Sequence, residues 1–220
     1  RVQKFSPAGV SLATFGTGGT GNGQFQAATG VAVDGGGNVY ACDLGGNRIE
    51  KFTSTGAFIG AWGGLGSAAG QLNNPNAVAC DALGNVYVAD SFNFRMQQFR
   101  SIADAPGSYM FVWGSTGALP GQFQQPYGIQ ASPWGFVYVA DLANNRIQYF
   151  SNAGGYLGSW GTFGSANGQF FSPAGVVVDP AGYLYVSDSG NNRIQKFDSG
   201  GVFQLKWGTA GSGTGQFHQP

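Results

Sequence analysis

Seven of the ten carboxylates in this chain stand at repeated positions. Asp43, Asp90, Asp141 and Asp188 each lie five residues before an arginine: Arg48, Arg95, Arg146 and Arg193. Asp34, Asp81 and Asp179 each close a short apolar run. Two chemistries suit the first set. Carboxylates ringing a pore would offer hard oxygen ligands to Ca²⁺. Alternatively, each Asp accepts turn N–H bonds while the five-donor guanidinium fork reaches that Asp or nearby carbonyls. A catalytic constellation is normally unique, whereas these pairs are copied from unit to unit. The sequence therefore reads them as architectural, with no metal and no catalytic residue.

Other chemistry finds few residues to carry it. Zinc catalysis needs about three His, Cys or carboxylate ligands, and the chain has one histidine, His218. A Ser-His-Asp triad fails for the same reason. Gly16-Thr17-Gly18-Gly19-Thr20-Gly21 matches GxGxxG, but it leads into Gly23-Gln24-Phe25 and not into a helix, so it reads as a loop. Cys42 and Cys80 fall in adjacent units. They read as buried free thiols, with a disulfide as the alternative that would suit an exported protein. Phe15, Trp62, Trp113, Trp160 and Trp207 recur and read as packing between units, not as a stacking platform for sugars or bases. Trp134 breaks the repeat, follows Pro133, and is the candidate surface contact. Lys4, Lys51 and Lys196 share one strand position and are expected to face solvent.

Composition narrows the classes further. Ten Lys+Arg balance ten Asp+Glu, and charged residues make up only 9% of 220. Such a chain has no basic patch for holding phosphates, so nucleic acid is excluded as a partner. No apolar run is long enough to span a membrane. Glycine contributes 40 residues, without a G-X-Y register, and aromatics 15%. A disordered chain would not carry so many rings.

The positioning elements come from an internal repeat. Gly-Gln-Phe/Leu occurs at Gly23, Gly70, Gly121, Gly168 and Gly215, at spacings of 47, 51, 47 and 47. The arginines Arg1, Arg48, Arg95, Arg146 and Arg193 show the same four-residue excess, which places one insertion near Ser101–Ser108. Within a period, four apolar runs alternate with Gly/Asn turns: Gly30–Asp34, Val39–Asp43, Arg48–Phe52 and Ala57–Gly63. No helical periodicity appears, and turns arrive about every ten residues, an all-β signature. Four strands in such a period make one propeller blade, whose two apolar faces are hidden by stacking on like blades.

Gly175-Val176-Val177-Val178-Asp179, Tyr185-Val186-Ser187-Asp188, Asn191-Asn192-Arg193-Ile194-Gln195-Lys196-Phe197 and Trp207-Gly208 together resemble the NHL repeat. The resemblance extends over essentially the whole chain. It implies a β-propeller, usually of six blades in that family. Ala77, Ser132, Phe94 and Met96 depart from the pattern. Some NHL relatives are lyases with a histidine-held metal, and others bind RNA on a basic face. This chain has neither the histidines nor the charge.

The expected architecture is a half-blade at 1–15, blades at about 30–63, 77–114, 128–161 and 175–208, and a C-terminal link at 209–220. That pattern reads as a window on a longer array, or as a half-blade completed by a neighbouring copy. The expected function is a non-catalytic scaffold, extracellular or at the cell surface. Its partners would be copies of itself or adjacent propeller units, with a protein or glycan ligand as a further option and no cofactor. The alternatives are an NHL sensor or interaction module and, less favoured, an NHL-type lyase or lactonase.

Overall fold

Period-two apolar runs cut by glycine turns can only form short antiparallel strands, and that is the architecture of the computed structural model. It describes residues 1–100 and 107–220. Most of the expected insertion near Ser101–Ser108 lies outside the described residues. The chain divides into two compact units, Arg1–Val112 and Trp113–Pro220.

In the first unit, β1 (Val2–Phe5) pairs antiparallel with β2 (Ser11–Phe15) as a two-stranded sheet. A short parallel pair follows, β3 (Thr17–Gly18) with β4 (Gln24–Phe25). The first four-stranded blade is β5 (Ala28–Val33), β6 (Val39–Asp43), β7 (Arg48–Phe52) and β8 (Phe58–Gly63), paired in chain order. The second is β9 (Pro75–Cys80), β10 (Asn85–Asp90), β11 (Arg95–Arg100) and β12 (Ser108–Trp113).

The second unit holds β13 (Pro126–Ala131), β14 (Phe136–Asp141), β15 (Arg146–Ser151) and β16 (Tyr156–Trp160) as the third blade. The fourth is β17 (Pro173–Val178), β18 (Leu184–Asp188), β19 (Arg193–Phe197) and β20 (Phe203–Trp207). The fold is all-β and of β-propeller type. No α-helix occurs among the described residues; the only helical turns are 3₁₀ segments at Ser91–Asn93, Leu142–Asn144 and Ser189–Asn191.

Three first strands open on a proline, two residues before the Gly-Val-type run seen in the sequence. A register shift near the start of each absorbs it, and proline is tolerated as a first strand residue or at a bulge. The Phe or Leu of each Gly-Gln-Phe/Leu is buried against its own blade or link: Phe25, Leu72, Phe123 and Phe170 are all inaccessible to solvent or nearly so. The preceding Gln side chain folds the link. Gln71 Oε1, for instance, accepts the Ala68 N–H at 3.1 Å. A Cβ at Gly66 (φ +158°) would meet that same amide and push the Gln71 side chain out of this bond.

Apolar burial runs from blade to blade. Tyr40, Cys42 and Ile49 of the first blade form one core with Val78, Val86, Val88 and Phe99 of the second. Tyr138, Ala140 and Ile147 do the same with Val176, Leu184, Val186 and Phe197. Val2, Ala13 and Phe15 of the two-stranded sheet cover only Val39, Ala41, Phe52 and Phe58, on the outer part of the first blade. The inner part stays bare. Val31 is 55% exposed, whereas its repeat counterparts Val78, Ile129 and Val176 are 4%, 8% and 3% exposed.

One lysine departs from expectation. Lys51 is buried, with its Nζ 5.6 Å from the centre of the Tyr40 ring. It lies on the blade face that the second blade covers, and its stem packs on the aromatic ring. Lys196, in the last blade, is half-exposed and sits 3.8 Å over Tyr183.

Candidate functional site

Every blade carries one charged knot at the turn between its second and third strands. In the fourth blade Asp188 ends β18 and Arg193 begins β19, so antiparallel pairing sets them side by side. Arg193 Nε donates to Asp188 Oδ2 at 2.7 Å. Its remaining nitrogens donate to the carbonyls of Ser165, Ala166 and Gln169 in the preceding link. Asp188 Oδ1 accepts the Phe171 N–H at 2.7 Å. Arg95 with Asp90, and Arg146 with Asp141, repeat the arrangement at 2.6 and 3.0 Å. Each knot ties a link to its own blade.

Two further residue types complete the knot, both legible in the sequence only as members of the NHL-like motif and not as partners of the Asp. Asn93, Asn144 and Asn191 donate from Nδ2 to the Asp and to a link carbonyl. Gln97, Gln148 and Gln195 donate from Nε2 to the Asp and to the link carbonyl of Gln71, Gln122 and Gln169. The signal was present in the sequence as a recurrent Gln two residues after each of these arginines.

The first blade breaks this pattern. Gly46 replaces the Asn and Glu50 replaces the Gln. Arg48 Nε is drawn out to 3.3 Å from Asp43 Oδ2, while its Nη2 lies 2.7 Å from Glu50 Oε1. Asp43 and Glu50 are both fully buried. Asp43 Oδ2 and both Glu50 oxygens make no well-aligned hydrogen bond. Burial is the chief cause that raises the Glu50 carboxyl to about 7; Arg48 opposes this, Asp43 adds to it, and the facing Gly23 N–H lowers it.

The other acidic set forms turns. Asp34 Oδ1 accepts the N–H groups of Gly36 and Asn38, and Oδ2 accepts Asn38 Nδ2 and the Tyr40 hydroxyl. Burial alone would raise the Asp34 carboxyl, but these bonds outweigh it and hold it below the usual range. Asp81 and Asp179 make equivalent bonds to Tyr87 and Tyr185. No cluster of three or more His, Cys, Asp or Glu that could hold a metal occurs among the described residues.

The remaining sequence candidates disperse. Cys42 and Cys80 are both free thiols, associated with one core; burial raises both thiols well above the ordinary value. Trp62 meets Tyr40 and Phe99 at 6.1 and 5.8 Å, and Trp160 meets Tyr138 and Phe197 at 6.3 and 5.9 Å. Trp134 is 51% exposed on the turn between β13 and β14. The GxGxxG segment is a blade link whose Gly19 (φ +150°) makes room for Gln24.

The second unit contains a cavity of about 650 Å³ bordered by Tyr127, Phe171, Ala174, Ser189, His218 and Pro220, among others. Tyr127 and Phe171 are partly exposed aromatics. They stand where other repeats carry Thr29 or Asn76, and Gln26, Asn73 or Gln124. Its lining holds no Asp, Glu, Lys or Arg, and His218 is its one basic side chain.

Residues 170–197 match the family model of the NHL repeat. No curated protein matches the chain. Among solved structures, a streptogramin B lyase aligns with TM-score 0.63 and 15% identity over 82% of this chain and 54% of its own. A selenomethionine-substituted virginiamycin B lyase from Staphylococcus aureus aligns with TM-score 0.64 and 13% identity, over 93% and 61%. Hydrazine synthase from Kuenenia stuttgartiensis aligns with TM-score 0.63 and 15% identity, over 86% and 51%. The chain thus spans between half and two thirds of the length of these structures. At such identity the likeness concerns the fold alone.

Proposed function

We propose that this chain is part of a non-catalytic propeller scaffold, working outside the cell, whose open blade surfaces are completed by adjacent propeller units of a longer array or by strands of neighbouring copies. The supporting observation is the bare inner half of the first blade. Val31 and Val33 are exposed on a face that is apolar and covered at the corresponding places of later blades. The inner edge of β1 has no partner strand among the described residues, and an unpaired edge beside bare apolar surface favours strand addition. Val177 and Trp207 of the fourth blade are likewise exposed where their counterparts are better covered. The charged residues support the non-catalytic reading, because the repeated pairs are spent on link-to-blade knots.

Negative-stain microscopy and light scattering at physiological salt test this. Threads or oligomers that grow with concentration are expected. Val31→Asp with Val33→Asp should leave the isolated copy folded, since both side chains are already exposed, and should remove assembly. Monodisperse single particles at high concentration would defeat the scaffold reading.

The cavity supports a second reading, as a module that binds an uncharged ligand against Tyr127 and Phe171. Its volume falls in the range of about 300–1,000 Å³ usual for ligand pockets. The lyase or lactonase alternative draws on the fold alone; stoichiometric bound metal together with turnover of a cyclic ester would establish it.

A further inference from the structure

We propose that the Asp43–Arg48–Glu50 knot takes up one proton, carried on Glu50, and that this proton locks the first blade to its link. The inference comes from comparing one position across blades. In three blades an amide at this place donates Nε2–H to a link carbonyl and to the knot's Asp, with Gln97 reaching Gln71 O at 2.6 Å and Asp90 Oδ2 at 3.0 Å. Its Oε1 accepts the Gly70 N–H at 3.0 Å. Glu50 has the same length and the same strand position, but an ionised carboxylate cannot donate. Gln24 O keeps the Arg48 Nη2 donor at 2.7 Å, but it and Asp43 Oδ2 lack the further N–H that the Gln of the other blades supplies.

The deficit is doubled by Gly46. In the other blades an Asn supplies donors to the Asp, and the first blade has no side chain there. Two buried carboxylates share one guanidinium, leaving a formal charge of −1 in a dry place. A single proton removes that charge and restores the missing donor. Protonated Glu50 then mimics the amide: O–H donates to Gln24 O or Asp43 Oδ2, and the carbonyl oxygen accepts the Gly23 N–H. The charged groups facing Glu50 are Asp43 from β6 and Arg48 from β7; the link contributes backbone only. The first blade also carries the bare Val31 surface, but this proposal holds whether or not that surface assembles.

The direction of the pH effect follows from linkage. The carboxyl is raised in the folded chain to about 7, above the usual value of about 4.3 for the unfolded chain. The folded state therefore binds more protons between these values. Stability from this group is full below the unfolded value and is lost as pH rises through about 7. Asp34 works the opposite way: its lowered carboxyl stabilises above the unfolded value and fails only in acid. The two limbs do not overlap.

Hydrogen exchange of the β6 and β7 amides, corrected for intrinsic rate, should show opening that rises up to about tenfold per unit between pH 5 and 7. Glu50→Gln should flatten that rise and protect the blade at pH 8, while His218→Gln leaves it in place. Carbon-detected magnetic resonance of the Glu50 carboxyl should give a midpoint near the same pH. A carboxyl ionised at pH 6, or an unchanged pH profile in Glu50→Gln, overturns the proposal. Protection by millimolar Ca²⁺ at pH 8 that vanishes in Glu50→Gln would also overturn it, by making the knot a cation site.

Discussion

Arg193 holds four oxygens, three of them link carbonyls, from a side chain that is almost wholly buried. Removing it strands a fully buried Asp188, so Arg193→Met should cost about 3–5 kcal/mol in urea denaturation. A cost within about 0.5 kcal/mol, the range of an exposed surface change, would mean that the knot is not structural. The acidic turns predict a separate limb. Asp34→Asn removes acceptors held below the normal carboxylate range, so the variant should lose the acid-sensitive part of stability that the parent shows as pH falls through about 4. The Asp and Arg of each knot were readable because they recur at a constant separation of five. The Glu50 exception was visible too, as one acid in a column of Gln. Its meaning was not visible, because it depends on burial and on which donors Gly46 withdraws. Lys51 misled for the same reason: strand alternation identifies a face, but only packing shows that a second blade covers it.

At the level of the strand turn, one residue works against its backbone. Asn47, Asn145 and Asn192 adopt left-handed φ near +53° before the repeat arginine, and Phe94 holds the same conformation at +54°. Asn tolerates that region and a bulky side chain does not. Phe94→Asn should therefore stabilise the first unit by about 1 kcal/mol, read as a raised denaturation midpoint; a neutral or lower midpoint would show that the ring contributes packing that outweighs the strain. Most elements of this fold can be traced to local signals. The Gly/Asn turns place strands two, three and four, and the Gly-Gln-Phe/Leu spacing places the links. The first strands were read two residues short, because proline ordinarily ends a ladder and the register shifts that admit it leave no mark in composition. The parallel pairing inside the links, such as β3 with β4, was also not legible. It depends on a Gln side chain folding back onto glycines that have no side chain of their own.

For the whole molecule, the charge balance decides what kind of association is available. The net charge is zero and only 9% of residues are charged, so long-range steering contributes little. The surfaces offered for assembly are apolar side chains and a free strand edge, namely Val31, Val33 and β1, with Val177 and Trp207 on the fourth blade. Such contacts strengthen when water is made less hospitable to apolar surface, and they do not depend on ions. Raising sodium chloride from about 0.05 to about 0.5 M shortens the screening length from roughly 14 to roughly 4 Å, which would dissolve an assembly held by charge. Here the sedimentation coefficient should stay constant or rise across that range, and ammonium sulfate should raise it further. If particles instead dissociate with sodium chloride, the contacts are electrostatic and the bare strand edge is not the junction. If they are unaffected by salt but persist in Val31→Asp with Val33→Asp, the junction is apolar and lies elsewhere, with the exposed face around Val177 and Trp207 as the next surface to charge.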